Sequence, residues 1–331
     1  MAYHFKSDES VPKALRRIVS EELESAVGQL TSGVHADWDE AIHEARKSVK
    51  KIRAVLRLAE SDLGDIFAVE NVRLRDIGRK LSEFRDAGAM IEALDGLIEK
   101  YREELGKQTF ASVRRGLVTR KGAFERTAET ERLLRGLAAR LRNIGKRAED
   151  WPLRHDGFSA LEPGLRKSFR RGKRALARVL EDSAPENFHE WRKRVKDHWY
   201  HVRLLDSLWP EMMQARAKEL KDLETRLGDD HNLVVLREKI LAEPDFYGSR
   251  RTVTAFIACV DRYQETLRGD AVKLGARFYA EKPGGLSERM ERLWRVWQEK
   301  PKPAADSESP SVERRRAAKV ASIASATAPP Q

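Results

Sequence analysis

An internal repeat constrains this chain more than any other feature. Residues 43–50 read HEARKSVK and residues 189–196 read HEWRKRVK, an offset of 146. Over the sixteen positions from 43 to 58, eight are identical to their counterparts. The register holds further on without a gap: Leu74 meets Leu220, Asp76 meets Asp222 and Leu81 meets Leu227. A chain written this way is expected to build one unit twice and to pack the copies about a pseudo-two-fold axis.

That unit is helical. The 331 residues hold only 12 prolines and 20 glycines, too few for the many turns of a sandwich or barrel. Ala, Leu, Arg, Lys and Glu, the strong helix formers, are abundant. The fold class is therefore all-α. The pattern predicts helices over about 11–30, 37–61, 68–100, 107–148, 160–181, 186–207, 210–241, 250–280 and 284–299. Ser10 or Asp8 is placed to cap the first, with Pro12 in its opening turn. Two prolines and two glycines between Trp151 and Gly164 mark a break, and Pro, Ala and Ser dominate after Lys300. This gives a first helical half over 1–150, a second over 151–300, and a tail over 301–331 expected to be disordered. Arg314, Arg315 and Arg316 in that tail read as a solvated charge run.

At about 100° per residue the repeated segment divides into two faces. Ala45, Val49, Ile52, Leu56 and Ala59 form an apolar stripe, while His43, Arg46, Lys47, Lys50 and Arg57 share another sector. In the second copy Trp191, Val195, Val202 and Leu205 are apolar, opposite His189, Arg192, Lys193, Lys196 and Arg203. Tyr200 lies near the cations and is expected to close the bundle. Like charges one turn apart cost a few tenths of a kcal/mol per pair. Glu44 and Glu190 lie off the stripe, and a helix selected for stability alone would interleave acids. Segment 43–58 carries net +5 and segment 189–204 net +3, out of +11 for the whole chain. This concentration of charge points to a multivalent anionic partner.

HEARKSVKKIRAVLRL and FHEWRKRVKDHWYHVRLL resemble the paired signature helices of the CHAD family, the conserved histidine α-helical domain. LSEFRDAGAMIEAL and RLGDDHNLVVL resemble its second repeated motif. SDESVPKALRRIVSEEL and AVKLGARFYAEKPGGLSERMERLWRVWQ are similar to its first and last helices, so the likeness covers residues 5–299. It implies two pseudo-symmetric antiparallel four-helix bundles around a basic central channel. It also implies binding of inorganic polyphosphate and association with polyphosphate granules. Carried over, the lining is His43, Arg46, Lys47, Lys50, Arg53 and Arg57 from the first copy, and His189, Arg192, Lys193, Lys196 and Arg203 from the second. There are departures. His231-Asn232 stands where the first copy has Arg85-Asp86, and Trp199-Tyr200 where it has Arg53-Ala54. The Glu-x-Glu-x-Lys motif of the triphosphate-tunnel domain, carried by some members, does not occur, so a stand-alone member is expected.

The residues suit that partner. Arg presents a planar fork matched to phosphate oxygens, Lys a mobile point charge, and His a further charge below its ordinary pKa near 6.5. HEARK and HEWRK begin like the zinc-protease pattern, but Lys47 and Lys193 stand where its second His would be, and a cation there opposes a metal. His198, His201 and the Asp229-Asp230-His231 cluster read as buried or solvated polar groups, so neither a metal nor a cofactor is expected. There is no phosphate-cradling Gly loop and no nucleophile with its base, so no enzymatic activity is expected. Cys259 is the only cysteine. With no apolar leader and no long apolar run, a cytoplasmic protein without a membrane span is expected. Two alternatives stay open. A helical RNA- or DNA-binding protein would need stacking aromatics among the cations, and only Tyr200 qualifies. A phosphohydrolase would need a metal-holding carboxylate cluster, for which Glu83, Asp86, Asp229 and Asp230 are the candidates.

Overall fold

The computed structural model describes residues 3–84, 86–104, 110–122 and 127–299, and every regular element among them is helical. Helix α1 (Val11–Gly28) starts where the Ser10 hydroxyl accepts from the Lys13 amide, with Pro12 in its first turn. Helix α2 (Trp38–Leu58) is capped by Asp37, whose carboxylate accepts from the Glu40 amide at 3.0 Å. Gly64, at φ 51°, then turns the chain into α3 (Asp65–Glu83), a conformation that costs a glycine little. Helices α4 (Asp86–Lys100), α5 (Ala111–Gly122) and α6 (Ala128–Ala148) complete the first half. The second contains α7 (Glu162–Glu181), α8 (Pro185–Leu204), α9 (Pro210–Ala242), α10 (Arg250–Phe278) and α11 (Pro283–Gln298).

Three predicted helices need correction. The segment 68–100 is two helices, broken after Glu83, whereas its counterpart α9 runs unbroken through 33 residues. The segment 107–148 divides into α5 and α6. The segment 37–61 ends at Leu58, and a short helical turn, Glu60–Leu63, precedes Gly64. Arg85 and the tail 301–331, with its arginine run, lie outside the described residues.

Packing follows the apolar stripes. Ala45, Val49, Ile52, Leu56 and Ala59 are all buried, as are Trp191, Val195, Val202 and Leu205. They belong to one core that joins α1, α2, α3 and α6 to α7, α8, α11 and the first part of α9. A second core lies under α4, α5, α10 and the end of α9, built on Leu94, Leu97, Leu236, Ile240, Tyr247 and Phe256. Contacts across the repeat tie the halves together. The buried His201 ring places Nε2 2.9 Å from the Ala54 carbonyl. Gly164 in α7 sits so close to the carbonyls of Arg57 and Leu58 that a Cβ would collide with them. α2 and α8 are thereby held with their cationic sides on one cavity.

Candidate functional site

The cavity has a volume of about 1110 Å³. All eleven residues named from the sequence line it: His43, Arg46, Lys47, Lys50, Arg53 and Arg57 from α2, and His189, Arg192, Lys193, Lys196 and Arg203 from α8. The lining holds thirteen Lys and Arg against five Asp and Glu, so it is strongly basic. Arg75 and Arg79 on α3, Arg194 on α8 and Lys221 on α9 were missed. Arg75 and Lys221 were within reach of the sequence, because the offset of 146 pairs them and both keep a cation.

Three of the five acids on the wall, Asp197, Glu224 and Glu190, are engaged with these cations, while Asp229 also lines it and its carboxyl is pushed up by burial and by Glu224. Asp197 meets Arg57 at 3.2 Å across the two halves, and Arg194 at 3.6 Å. Glu224, buried on α9, meets Lys221 at 2.7 Å, Lys196 at 2.8 Å and Arg192 at 3.4 Å. Burial alone would raise its carboxyl, but Lys196, Arg192 and Lys221 outweigh that and hold it at about 2. Glu44 and Glu190 were placed off the cationic stripe, yet both bend back onto it. Glu44 holds Lys47 at 2.8 Å, and Glu190 holds Lys193 at 3.4 Å and Arg194. One turn of helix is short enough for a flexible Glu to reach along the axis.

Lys50 makes no ion pair among the described residues. Burial, with the like charges of Lys196, Arg46 and Arg192, pushes its ammonium well below the ordinary range. Burial and Arg57 lower Arg53 to about 10, and its Nε donates to Asn71 at 3.0 Å. Like charges from both halves therefore gather around Lys50, although the Arg57–Asp197 pair joins the halves nearby.

The histidines behave differently from the sequence expectation. His189 and His231 stack with ring centroids 4.0 Å apart. Burial and neighbouring charge, Lys193 and Arg192 beside His189 and then His189 and Arg192 beside His231, lower each to about 4. They are neutral near pH 6, so this pair adds no charge to the cavity there. His189 Nδ1 and Arg192 Nε are buried polar atoms on the wall without a hydrogen-bond partner among the described residues.

The aromatic groups sort as follows. Trp191 is fully buried, and Tyr200 is buried in an edge contact with Tyr3 while touching the cavity wall. Trp199 carries the Arg203 guanidinium 4.9 Å from its ring centroid and the Lys221 ammonium at 5.5 Å. Of the carboxylates weighed for metal binding, Glu83 pairs with Lys80 at 3.1 Å. Asp230 is buried and accepts from Arg268 and Gln264. The side chain of Asp86 lies outside the described residues. Among the described residues no group of three His, Cys, Asp or Glu could hold a metal ion.

The family model described as the CHAD domain matches residues 17–241. The chain belongs to the CHAD family. The matched span runs from within α1 to the penultimate residue of α9, and so contains every residue of the CHAD cavity named above. The segments 5–16 and 242–299, which resemble the family's ends, fall beyond it. No curated protein matches the chain. Among the described residues, no helix of this CHAD protein is long and apolar enough to cross a membrane.

Proposed function

We propose that this CHAD protein is a non-catalytic binder of inorganic polyphosphate. The polyanion would be held between α2 and α8, in a channel flanked by two pseudo-symmetric four-helix bundles. The observation that carries this reading is the excess of Lys and Arg, drawn from both copies of the repeat, on one cavity wall. Polyphosphate is a flexible chain with about one charge per unit and no bases, so it needs a row of cations and no base-reading groups. Binding would release its counterions, as for nucleic acids, and fall steeply with salt. The low-dielectric walls strengthen each contact relative to an open surface. The repulsion around Lys50 is relieved once phosphate enters. The carboxylates Glu224, Asp197 and Glu190 are already matched to cations, which speaks for binding over metal-assisted hydrolysis. Association with cytoplasmic polyphosphate granules belongs to the same proposal.

The test is competition. Long polyphosphate bound at low salt is challenged with RNA, DNA and ATP at matched charge and at two salt levels. Polyphosphate is expected to hold against all three. Preference for RNA at moderate salt would replace this reading by a nucleic-acid one. Charge reversal of Arg46, Lys50, Arg192 and Lys196 to Glu is expected to abolish binding in a chain that still folds.

A further inference from the structure

Arg57 and Arg203 are equivalent at the offset of 146 and both line the cavity, yet they are held differently. Arg57 is tied within the protein. Its Nη1 meets Asp197 at 3.2 Å and donates to the Arg53 carbonyl at 2.9 Å. Arg203 makes no ion pair among the described residues. Its guanidinium carbon lies instead over two aromatic rings, 4.9 Å from the Trp199 centroid and 5.7 Å from that of Tyr3.

Both rings are fixed in place. Tyr3 is buried, and its hydroxyl donates to the Lys51 carbonyl at 3.1 Å. The Phe5 amide donates to the Leu204 carbonyl at 3.3 Å, which lays this N-terminal segment along the end of α8. Trp199 packs on Tyr200, with ring centroids 4.8 Å apart, and lines the cavity itself. It also carries the ammonium of Lys221, from α9, at 5.5 Å. An aromatic ring attracts a cation through its quadrupole and takes none of its hydrogen bonds. A carboxylate would occupy two N–H groups and cancel the charge. A guanidinium held by rings therefore keeps both its charge and its planar fork of donors. It has also given up rotamer freedom that a solvated Arg would lose only on binding.

We propose that Tyr3 and Trp199 are positioning residues that hold Arg203 as a preorganised phosphate donor, so that the N-terminal segment is a working part of the binding site. The inference rests on the polyphosphate reading. It adds to the site a part of the chain that lies outside the matched family span of residues 17–241. Trp199 serves two helices at once, because Arg203 comes from α8 and Lys221 from α9.

The experiment titrates the full chain and its variants with long polyphosphate at several salt concentrations, with circular dichroism to confirm folding. R203Q is expected to weaken binding about tenfold and to lower the salt slope by about one. Y3L and W199L keep apolar bulk and remove a ring. Each is expected to weaken binding about fivefold, the scale of one cation–π contact, and to lower the salt slope in the same direction. Loss of packing alone would leave that slope unchanged. Y3F and W199F, which restore a ring, are expected to recover most of the loss. Combined with R203Q, either leucine variant is expected to cost less than it does in the parent. Folded Y3L and W199L chains with parental affinity and salt slope overturn the inference while leaving polyphosphate binding intact. Losses that multiply in full with that of R203Q overturn it too, since the rings would then act elsewhere. A parent chain that binds no polyphosphate overturns the functional reading itself. If Y3L fails to fold, the cycle of W199L with R203Q decides by the same criterion.

Discussion

Lys50 and Lys196 occupy equivalent places in the repeat, and burial lowers both, but only Lys196 has a direct acid partner among the described residues. Lys196 reaches Glu224 at 2.8 Å, while Lys50 meets other cations. A partly buried ammonium among like charges costs stability, and only an anionic ligand recovers that cost. Lys50→Met should therefore stabilise the ligand-free chain, by about 1 kcal/mol, because it removes a desolvated charge and keeps much of the side-chain volume. The same variant should bind polyphosphate more weakly. Thermal melting with and without polyphosphate separates the two effects, and a Lys50→Met chain that melts lower without ligand would contradict the argument. The sequence showed that both lysines lie on the cationic face. It did not show their different surroundings, because Glu224 lies 28 residues beyond Lys196 on another helix.

At the scale of elements, the apolar stripes of α2 and α8 were legible because helical periodicity alone sorts the buried residues from the cations. The cap at Ser10 and the proline after it were legible for the same local reason. Helix breaks were less so. The first-half counterpart of α9 divides after Glu83, and local propensity around that position does not distinguish it from the continuous second copy. Close approaches between helices were not legible either. Gly164 gave the signal of a loop, yet it lies in the first turn of α7, against the carbonyls of Arg57 and Leu58 at the end of α2. Gly164→Ala should destabilise the fold by about 2 kcal/mol or more, since the collision is with backbone and one helix must shift. Urea denaturation of the variant measures this. An unchanged midpoint would show that α7 can move away from α2 without loss.

For the whole molecule, the cavity couples ligand to stability. A ligand that binds only the folded chain stabilises it by about 2.7 kcal/mol at one hundred times Kd. Long polyphosphate should accordingly raise Tm by several degrees at low salt, and the shift should shrink as salt rises. It should also grow as pH falls from 6.5 toward 4. In the ligand-free chain His189 and His231 protonate only near pH 4. A nearby polyanion raises both values, so binding takes up protons and strengthens on acidification. The unliganded chain should show the opposite trend. Its buried histidines, His201 included at about 4, remain neutral while the unfolded chain gains protons below 6.5, so its stability falls over the same window. Differential scanning at several pH values checks both signs, and a polyphosphate shift independent of pH would count against a role for the histidine pair.

The helical class and the two matched cationic helices were legible in the sequence, and the resemblance to the CHAD family implied that eleven residues line one channel. The first two follow from periods and spacings within a single helix and from identity at a fixed offset, whereas the channel came from the resemblance alone. Which charges meet is fixed by the packing of one helix on another. Glu224 beside Lys196, Asp197 across to Arg57, and His189 against His231 are contacts between different helices, and helix packing fixes them. The net charge of the chain set the sign of the partner. Burial and proximity in the folded cavity set how much of that charge is left to act.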